Sequence, residues 1–228
     1  MNGVEVWVIG EGQTEEAFVH RVLKPVLFNH KIFLKAQLIS TSPGTHGGAL
    51  NFDRVRRHTV RMIKEKPSAC ITTFFDLHRL HKEFPGYAES VGESDPVQRA
   101  QRLESAFHAR ILQDAGCRPE QFIPHIQPYE FEGLLFSDPS ALVEVRPEWS
   151  RFVEPLAAIR QEFSTPEWIN GGDATKPSAR LEKLLKPSYR KTLHGPPAAE
   201  RIGLDRLMAE CPHFAGWVHR LRQLTTAG

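Results

Sequence analysis

The chain has 228 residues, of which 40% are hydrophobic and 25% are charged. These proportions are typical of soluble globular proteins and exclude a disordered, collagen-like or coiled-coil chain, and the length corresponds to one or two domains. The net charge of +2 is small, but residues 1–170 contain 19 basic and 22 acidic side chains, whereas residues 171–228 contain 10 basic and 5 acidic ones.

The cysteines and the N-terminal segment indicate the compartment. Cys70, Cys117 and Cys211 lack CxxC spacing, and their odd number argues against a disulfide framework. The first apolar run, residues 4–9, lacks a preceding basic region and is too short for a signal peptide. No segment approaches the roughly 20 apolar residues of a membrane span. The sequence therefore predicts a cytoplasmic protein with no membrane partner.

The first third of the chain predicts alternating strands and helices. Residues 4–9 (VEVWVI) are rich in β-branched residues, which favours a strand, and residues 13–28 have helical periodicity. Residues 32–39 predict a second strand and residues 52–65 a second helix. Residues 69–75 (ACITTFF) have no charge and predict a buried third strand.

The middle of the chain continues this alternation. Residues 77–96 predict an irregular loop, residues 97–114 a helix, and residues 122–127 a fourth strand. Pro124 limits that strand to an edge position or weakens it, because proline cannot donate to a β-ladder. The tripeptide at 137–139, Ser-Asp-Pro, is typical of the start of a further helix.

The last third predicts helices separated by Pro- and Gly-rich joints at residues 164–177 and 186–197. Strands that alternate with helices favour an α/β fold with a mainly parallel, Rossmann-like sheet flanked by helices. We therefore expect an α/β domain over residues 1–145 and a helical, basic C-terminal extension, residues 146–228, that packs on it.

Acidic residues follow three of the four predicted strands. Glu11 follows the first, Asp76 the third, and Glu130 and Glu132 the fourth. The carboxyl ends of parallel strands share one edge of a sheet, where function collects, so we expect these side chains to converge. Clustered carboxylates need a cation, and their hard oxygen atoms select Mg²⁺ or Mn²⁺. Such a metal suits phosphoryl chemistry.

Each of these patterns also has a structural interpretation. Residues 11–16 are equally typical of a turn with a helix cap, and Asp76 of a strand-end turn. His78 and His81 would form a Zn²⁺ or Mn²⁺ site with Asp76, or would be ordinary loop histidines. His125, in the fourth strand, is expected to be structural.

The basic C-terminal segment supplies candidate phosphate ligands. Residues 171–178 (GGDATKPS) precede a predicted helix over residues 178–186, and a helix N-terminus suits an anion that Lys176 would hold. This loop does not match a Walker A motif, and Pro177 is also an ordinary helix-start signal. A basic run would follow a nucleic-acid backbone or form a solvated face: Lys183, Lys186, Arg190, Lys191 and His194.

Two motifs resemble the Toprim domain of topoisomerases, primases and the overcoming-lysogenization-defect nucleases. Residues 11–15 (EGQTE) are similar to its E-G-x-x-D/E motif. Asp76-Leu77-His78 corresponds to its D-x-D motif, with His78 in place of the second acid. This departure leaves the second ligand to His78 itself, or to Glu130 or Glu132.

The chain as a whole resembles the domain-of-unknown-function family 4276, which is grouped with Toprim folds. The resemblance lies in residues 11–15, 75–77, 84–86 and 130–138, and in the late segments at 171–173 and 176–177. It implies a Toprim-like fold and, by analogy, nuclease chemistry.

The resemblance implies a Mg²⁺- or Mn²⁺-dependent nuclease or phosphodiesterase that acts on DNA or RNA. Glu11 and Glu15 would be catalytic, and Lys176 would stabilise phosphate charge, because Toprim nucleases use a late lysine near their metals. The implied metal ligands are Glu11, Asp76, His78, Glu130 and Glu132. The implied phosphate and nucleic-acid ligands are Lys176, Lys183, Arg190 and Lys191.

Two rival functions remain open. The overcoming-lysogenization-defect nucleases fuse Toprim to an ATPase. Because this chain has no Walker A motif, the resemblance implies that the ATPase is a separate subunit and that the pair acts in anti-phage defence. The two rivals to this nuclease function are as follows. The first is a non-catalytic subunit that keeps the same fold and binds nucleic acid or a nucleotide beside the ATPase. The replacement of the second acid of D-x-D by His78 favours it. A small-molecule phosphohydrolase would use the same metal.

Overall fold

A computed structural model describes residues 3–39, 50–169 and 172–225 of the chain. It contains a five-stranded sheet with the order β2-β1-β3-β4, in which β5 also pairs with β3. Every one of these pairings is parallel. The strands are β1 (Val4–Gly10), β2 (Ile32–Leu38), β3 (Cys70–Asp76), β4 (Phe122–Ile123) and β5 (Ile126–Gln127). The predicted α/β fold with a mainly parallel sheet is confirmed.

Helices flank the sheet and make up most of the C-terminal third. The first helical segment consists of α1 (Gln13–Phe18), a π-helical stretch (Val19–Leu23) and α2 (Lys24–Phe28). Between β2 and β3 lies α3 (Phe52–Glu65), and between β3 and β4 lie α4 (Tyr87–Ser90) and α5 (Pro96–Ala115). The remaining helices are α6 (Pro139–Val143), α7 (Val153–Gln161), α8 (Pro177–Leu184), α9 (Lys191–Ile202), α10 (Leu204–Glu210) and α11 (Pro212–Gln223).

Three expectations from the sequence need correction. The loop predicted over residues 77–96 contains the short helix α4. The predicted strand at 122–127 is two short strands that both pair with β3, because Pro124 has no N–H to donate and interrupts the ladder. The predicted joint at 186–197 extends too far, because α9 begins at Lys191 and contains Pro196 and Pro197. Burial of this helix stabilises it despite the two prolines, which would be unfavourable in an isolated helix.

Two hydrophobic cores lie on opposite faces of the sheet. Successive side chains of a strand point to opposite faces, so Val8 of β1 enters one core and Ile9 enters the other. The first core also contains Phe18 of α1 and Trp217 of α11. Residues from the predicted extension therefore share a core with β1, while the domain boundary at residue 145 stays a prediction.

One further finding concerns membranes. Across the described residues, the helices are either too short or too polar to cross a lipid bilayer.

Candidate functional site

The carboxyl ends of β1 and β3 bring Glu11 and Asp76 together. The two strands pair in register up to Gly10 and Phe74, and Glu11 follows directly after β1. Its Oε1 atom accepts a hydrogen bond from the backbone N–H of Asp76 at 3.1 Å. Its Oε2 atom lies 3.3 Å from Nε of Arg79. The sheet edge thus places both acidic residues side by side, as the strand-end pattern predicts.

Asp76 is buried and both of its carboxylate oxygens have partners. Oδ1 accepts a hydrogen bond from the backbone N–H of Phe131 at 2.7 Å. Oδ2 lies 2.9 Å from Nζ of Lys191, the first residue of α9. This ion pair joins the end of β3 to a helix that begins 115 residues later in the chain.

Lys191 lies among three carboxylates. Besides Asp76, its ammonium is 3.5 Å from Oε1 of Glu15 and 3.5 Å from Oε2 of Glu132. The sequence places Lys191 in a surface patch for nucleic acid, and no spacing in the sequence relates it to the acidic residues. Glu11, which accepts the backbone N–H of Asp76, and Glu130, two residues before Glu132, adjoin this group. We call the acidic centre the set of Glu11, Glu15, Asp76, Glu130, Glu132 and Lys191.

Glu130 and Glu132 enter the centre from the segment after β5. Glu132 is fully buried, and its Oε1 accepts a hydrogen bond from the Tyr189 hydroxyl at 3.4 Å. Its Oε2 atom has the ion pair with Lys191 but no hydrogen bond from the described residues. Glu130 is also buried, and Oε1 accepts a hydrogen bond from the backbone N–H of Ser178. The start of α8 therefore binds Glu130.

Burial makes several of these carboxyl groups hard to ionise. Burial, with help from Asp76 and Glu15, raises the pKa of Glu11 to about 8. Burial likewise raises the pKa of Glu132 to about 8, although Lys191 opposes it. The pKa of Glu15 is raised by burial too. A buried carboxyl group with a raised pKa keeps its proton near neutral pH. Glu11 and Glu132 therefore hold their protons more tightly than ordinary carboxyl groups.

Lys191 stays charged in this environment. Burial alone would lower the pKa of its ammonium, but the carboxylates of Asp76, Glu132 and Glu15 outweigh burial and raise the pKa well above the ordinary value. A cation surrounded by carboxylates is favoured in its charged form. Lys191 is thus the positive charge at the middle of the acidic centre.

His78 borders the centre, whereas His81 does not. Nδ1 of His78 lies 2.9 Å from the backbone carbonyl of Tyr129, so Nδ1 carries the proton and donates it. Its Nε2 atom, 3.9 Å from Oε2 of Glu130, is then free to act as a ligand. His81 instead lies beside Glu83, with Nδ1 and Oε2 3.5 Å apart. The alternative Asp–His–His set is not assembled.

Lys176 lines a small side cavity next to the acidic centre. This cavity has a volume of about 180 Å³, and Lys176 shares it with His78, Glu130 and Arg99. The backbone N–H of Ser178, at the start of α8, already donates to Glu130. An anion at the start of α8 would therefore compete with Glu130 for that N–H. Gly171, the first residue of the predicted phosphate loop, lies outside the described residues.

The other predicted phosphate ligands lie at the surface. Lys183 is exposed in the last turn of α8, and Arg190 is exposed immediately before α9. The structure brings neither side chain into contact with the acidic centre. Of the four predicted phosphate ligands, Lys191 and Lys176 are the two at or beside the carboxylates.

A second group of possible metal ligands lies elsewhere in the fold. Glu104, His125 and His213 are buried, and one ligand atom of each lies within 4.8 Å of the others. This group could hold a metal ion. Within the parts of the chain that the structure describes, no three carboxylates of the acidic centre meet that spacing, since they surround an ammonium. No motif in the sequence links these three residues.

Comparison with known proteins adds the family. The family described as a domain of unknown function (DUF4276) matches residues 10–222, which include every residue of the acidic centre. No curated protein and no solved structure matches the chain. Because the family match spans nearly the whole chain, the protein belongs to the DUF4276 family.

Proposed function

We propose that the acidic centre is the active site of a Toprim-like phosphodiesterase that uses Mg²⁺ or Mn²⁺ and acts on nucleic acid. One observation carries the proposal. Five acidic side chains meet at the carboxyl edge of a parallel sheet, where active sites of open α/β folds lie, and three of them, Glu15, Asp76 and Glu132, share the ammonium of Lys191.

The charge balance supports a divalent cation. Arg79 and Lys191 contact the centre, and the carboxyl groups outnumber them. Burial, which Arg79 and Lys191 do not fully offset, raises the pKa of Glu11 and that of Glu132 to about 8 and so favours their protonated forms. A divalent ion would supply positive charge and release those protons, since metal ligands bind in their deprotonated form.

The chemistry of the donor atoms suits a hard metal ion, which would have to draw them closer together, because no three of the described carboxylates lie within 4.8 Å of one another. Oε2 of Glu132 is buried without a hydrogen-bond donor among the described residues, and such an atom is an available ligand. Carboxylate oxygens are the donors that Mg²⁺ and Mn²⁺ prefer. Bound there, the ion would polarise a phosphoryl oxygen and lower the pKa of a water molecule. The residues that would hold it are Glu11, Asp76, Glu130 and Glu132, with His78 at the border.

The remaining residues have roles of their own. Glu15 is buried 3.5 Å from Nζ of Lys191, and burial raises its pKa, which makes it a stronger general base than an ordinary carboxylate. The Lys191 ammonium suits a phosphate oxygen that approaches the carboxylates. Lys176, in the side cavity that contains Glu130, would bind a neighbouring phosphate of the same strand.

Surface charge supports a nucleic-acid substrate, and the family resemblance supports an ATPase partner. Lys183 is exposed at the end of α8, and Arg190 is exposed immediately before α9. Exposed cations of this kind bind phosphate backbones. The separate ATPase subunit and the role in anti-phage defence rest on the resemblance to the overcoming-lysogenization-defect nucleases.

One observation favours a second candidate function. Lys191 already neutralises part of the centre, and both oxygens of Asp76 have donors. A centre arranged in this way persists without metal, which suits a non-catalytic subunit that binds nucleic acid beside an ATPase.

A nuclease assay separates the two functions. Wild type, Glu11→Gln and Asp76→Asn are incubated with single- and double-stranded DNA and RNA, in Mg²⁺, in Mn²⁺ and in EDTA. Glu154→Gln, an exposed position on α7, is the matched control for loss of a carboxylate. We expect metal-dependent cleavage by wild type and Glu154→Gln, and loss of at least about 100-fold in the other two variants, because metal ligands are removed.

Two results would contradict the proposal. Cleavage that survives in EDTA would exclude a metal-dependent mechanism. Binding of nucleic acid by every variant, without cleavage in either metal and with the partner ATPase present, would favour the non-catalytic subunit instead.

A further inference from the structure

The group formed by Glu104, His125 and His213 shares no residue with the acidic centre. Glu104 comes from α5, His125 lies between β4 and β5, and His213 belongs to the first turn of α11. All three are buried; their exposed fractions are 6%, 0% and 7%. Residues from α5, the β4–β5 connection and α11 therefore converge on one buried location.

The distances within the group match those of ligands that share one ion. Nε2 of His213 lies 2.9 Å from Oε1 of Glu104, and Nδ1 of His125 lies 3.5 Å from the same oxygen. Two ligands bound to one tetrahedral ion at about 2.0–2.1 Å are roughly 3.3 Å apart. All three donor atoms lie within 4.8 Å of one another. Nε2 of His213 also lies 3.2 Å from the backbone carbonyl of Ile126, so it carries a proton in the metal-free protein, and a bound ion would displace that proton.

The Nδ1 atom of His125 has no hydrogen-bond partner although it is completely buried. The other ring nitrogen, Nε2, lies 3.2 Å from the amide oxygen of Gln127. With the amide in this orientation, its oxygen can only accept, so Nε2 of His125 carries the proton, and the buried amide nitrogen of Gln127 has no hydrogen-bond partner among the described residues. The lone pair of Nδ1 then faces the carboxylate of Glu104. Two electron-rich atoms at 3.5 Å in a buried place repel each other unless a cation lies between them.

Outer contacts hold the group in position. Gln127 orients the His125 ring through Nε2, and the Trp217 ring stacks on it at 4.7 Å. The backbone N–H of Ile126 donates to Oε1 of Glu104 at 2.8 Å. Glu167 accepts the backbone N–H of His213 at 2.9 Å and so fixes the start of α11. Contacts of this kind orient metal ligands and are typical of built metal sites.

A large cavity reaches the group from one side. Its volume is about 780 Å³, and Glu104 and His213 are part of its wall, together with His108 and Arg220. The Arg220 guanidinium lies 3.7 Å from Oε2 of Glu104. An ion held by the three residues would therefore be accessible to solvent through this cavity.

We propose that Glu104, His125 and His213 form a site for a zinc-class transition-metal ion, with a fourth coordination position open to water in the adjoining cavity. Two imidazoles and one carboxylate are the donors that Zn²⁺ takes, whereas Mg²⁺ prefers oxygen ligands throughout. Three protein ligands with one open position are the arrangement of catalytic rather than structural zinc sites. This site differs in metal from the acidic centre.

The test is a Zn²⁺ titration of the full chain after EDTA treatment, in competition with a chromophoric chelator. Wild type should bind one Zn²⁺ at this site, and Glu104→Gln and His213→Gln should each weaken that binding at least about 100-fold, because a ligand is lost. His108→Gln, which changes a histidine of the same cavity wall, should bind Zn²⁺ as wild type does. Asp76→Asn and Cys117→Ser should also retain it, which separates this site from the acidic centre and from a thiol.

X-ray absorption of the stoichiometric zinc form gives a readout that does not depend on the stability of any variant. We expect two imidazole nitrogens and oxygen, without sulfur, around the ion. Absence of stoichiometric Zn²⁺ binding by wild type would overturn the proposal and identify the group as a hydrogen-bond network in which the Gln127 amide is reversed. A coordination shell without imidazole, or unchanged Zn²⁺ binding by folded Glu104→Gln and His213→Gln, would overturn it as well. None of these outcomes depends on nuclease activity.

Discussion

Replacing Lys191 with methionine removes the one ammonium at the middle of the acidic centre while keeping an unbranched side chain of similar length. Asp76, Glu15 and Glu132 then lose their shared cation, at distances of 2.9, 3.5 and 3.5 Å. Loss of one partner from a fully buried ion pair costs about 3–5 kcal/mol. Because 34% of the Lys191 side chain is exposed, solvent screens part of the charge, and we expect a loss of about 2 kcal/mol.

Urea denaturation at pH 8 measures this loss as a decrease in the free energy of unfolding. Lys183→Met is the matched control, because Lys183 is exposed on α8 and such surface changes stay within about 0.5 kcal/mol. Mg²⁺ or Mn²⁺ should stabilise Lys191→Met more than wild type, since the ion would take the place of the ammonium among the carboxylates. Equal stabilities of Lys191→Met and Lys183→Met would refute this account of the centre.

Two further predictions concern packing and pH. An added Cβ at Gly195 would lie 2.9 Å from the Phe131 ring, so Gly195→Ala should lower the free energy of unfolding by about 1–3 kcal/mol, whereas Gly216→Ala on α11, where the space is open, should cost nothing. Because the pKa of Glu11 and that of Glu132 rise from 4.5 to about 8 on folding, the folded protein binds more protons, and metal-free stability should fall as pH rises between those values. Urea titrations from pH 5 to 9 check this slope, which Glu11→Gln should reduce; a rising slope would contradict it.

Local signals in the sequence explain why much of the fold could be predicted. The helix expected over residues 52–65 has those bounds in the structure, since its apolar positions repeat with helical spacing and Asn51 caps it by accepting the N–H of Arg54. The uncharged run at residues 69–75 likewise predicts a buried strand, which the structure forms as β3, because it is short and rich in β-branched and aromatic residues. In contrast, the stability of α9 comes from burial and not from the helix propensity of its residues. Its two prolines, which are typical of a break between helices, led the sequence to predict a joint there.

The same distinction applies to the candidate sites. The rule that the carboxyl ends of parallel strands share one edge of the sheet was enough to predict that Glu11 and Asp76 lie close together. The place of Lys191 depends on how α9 packs across the sheet edge, a contact between distant parts of the chain that no local pattern encodes. His125 was expected to be structural, and its neighbours Glu104 and His213 lie on two helices far apart in sequence, so only the tertiary structure relates them.

The central claim is that the carboxylates around Lys191 bind a divalent metal ion. An anomalous difference map from crystals soaked in Mn²⁺ tests it most directly, because it locates the ion without reference to activity. The account predicts a peak bonded to carboxylate oxygens of Asp76 and Glu132, and its absence from crystals of Asp76→Asn. A map with no peak among these carboxylates, at a Mn²⁺ concentration that supports cleavage, would contradict the account.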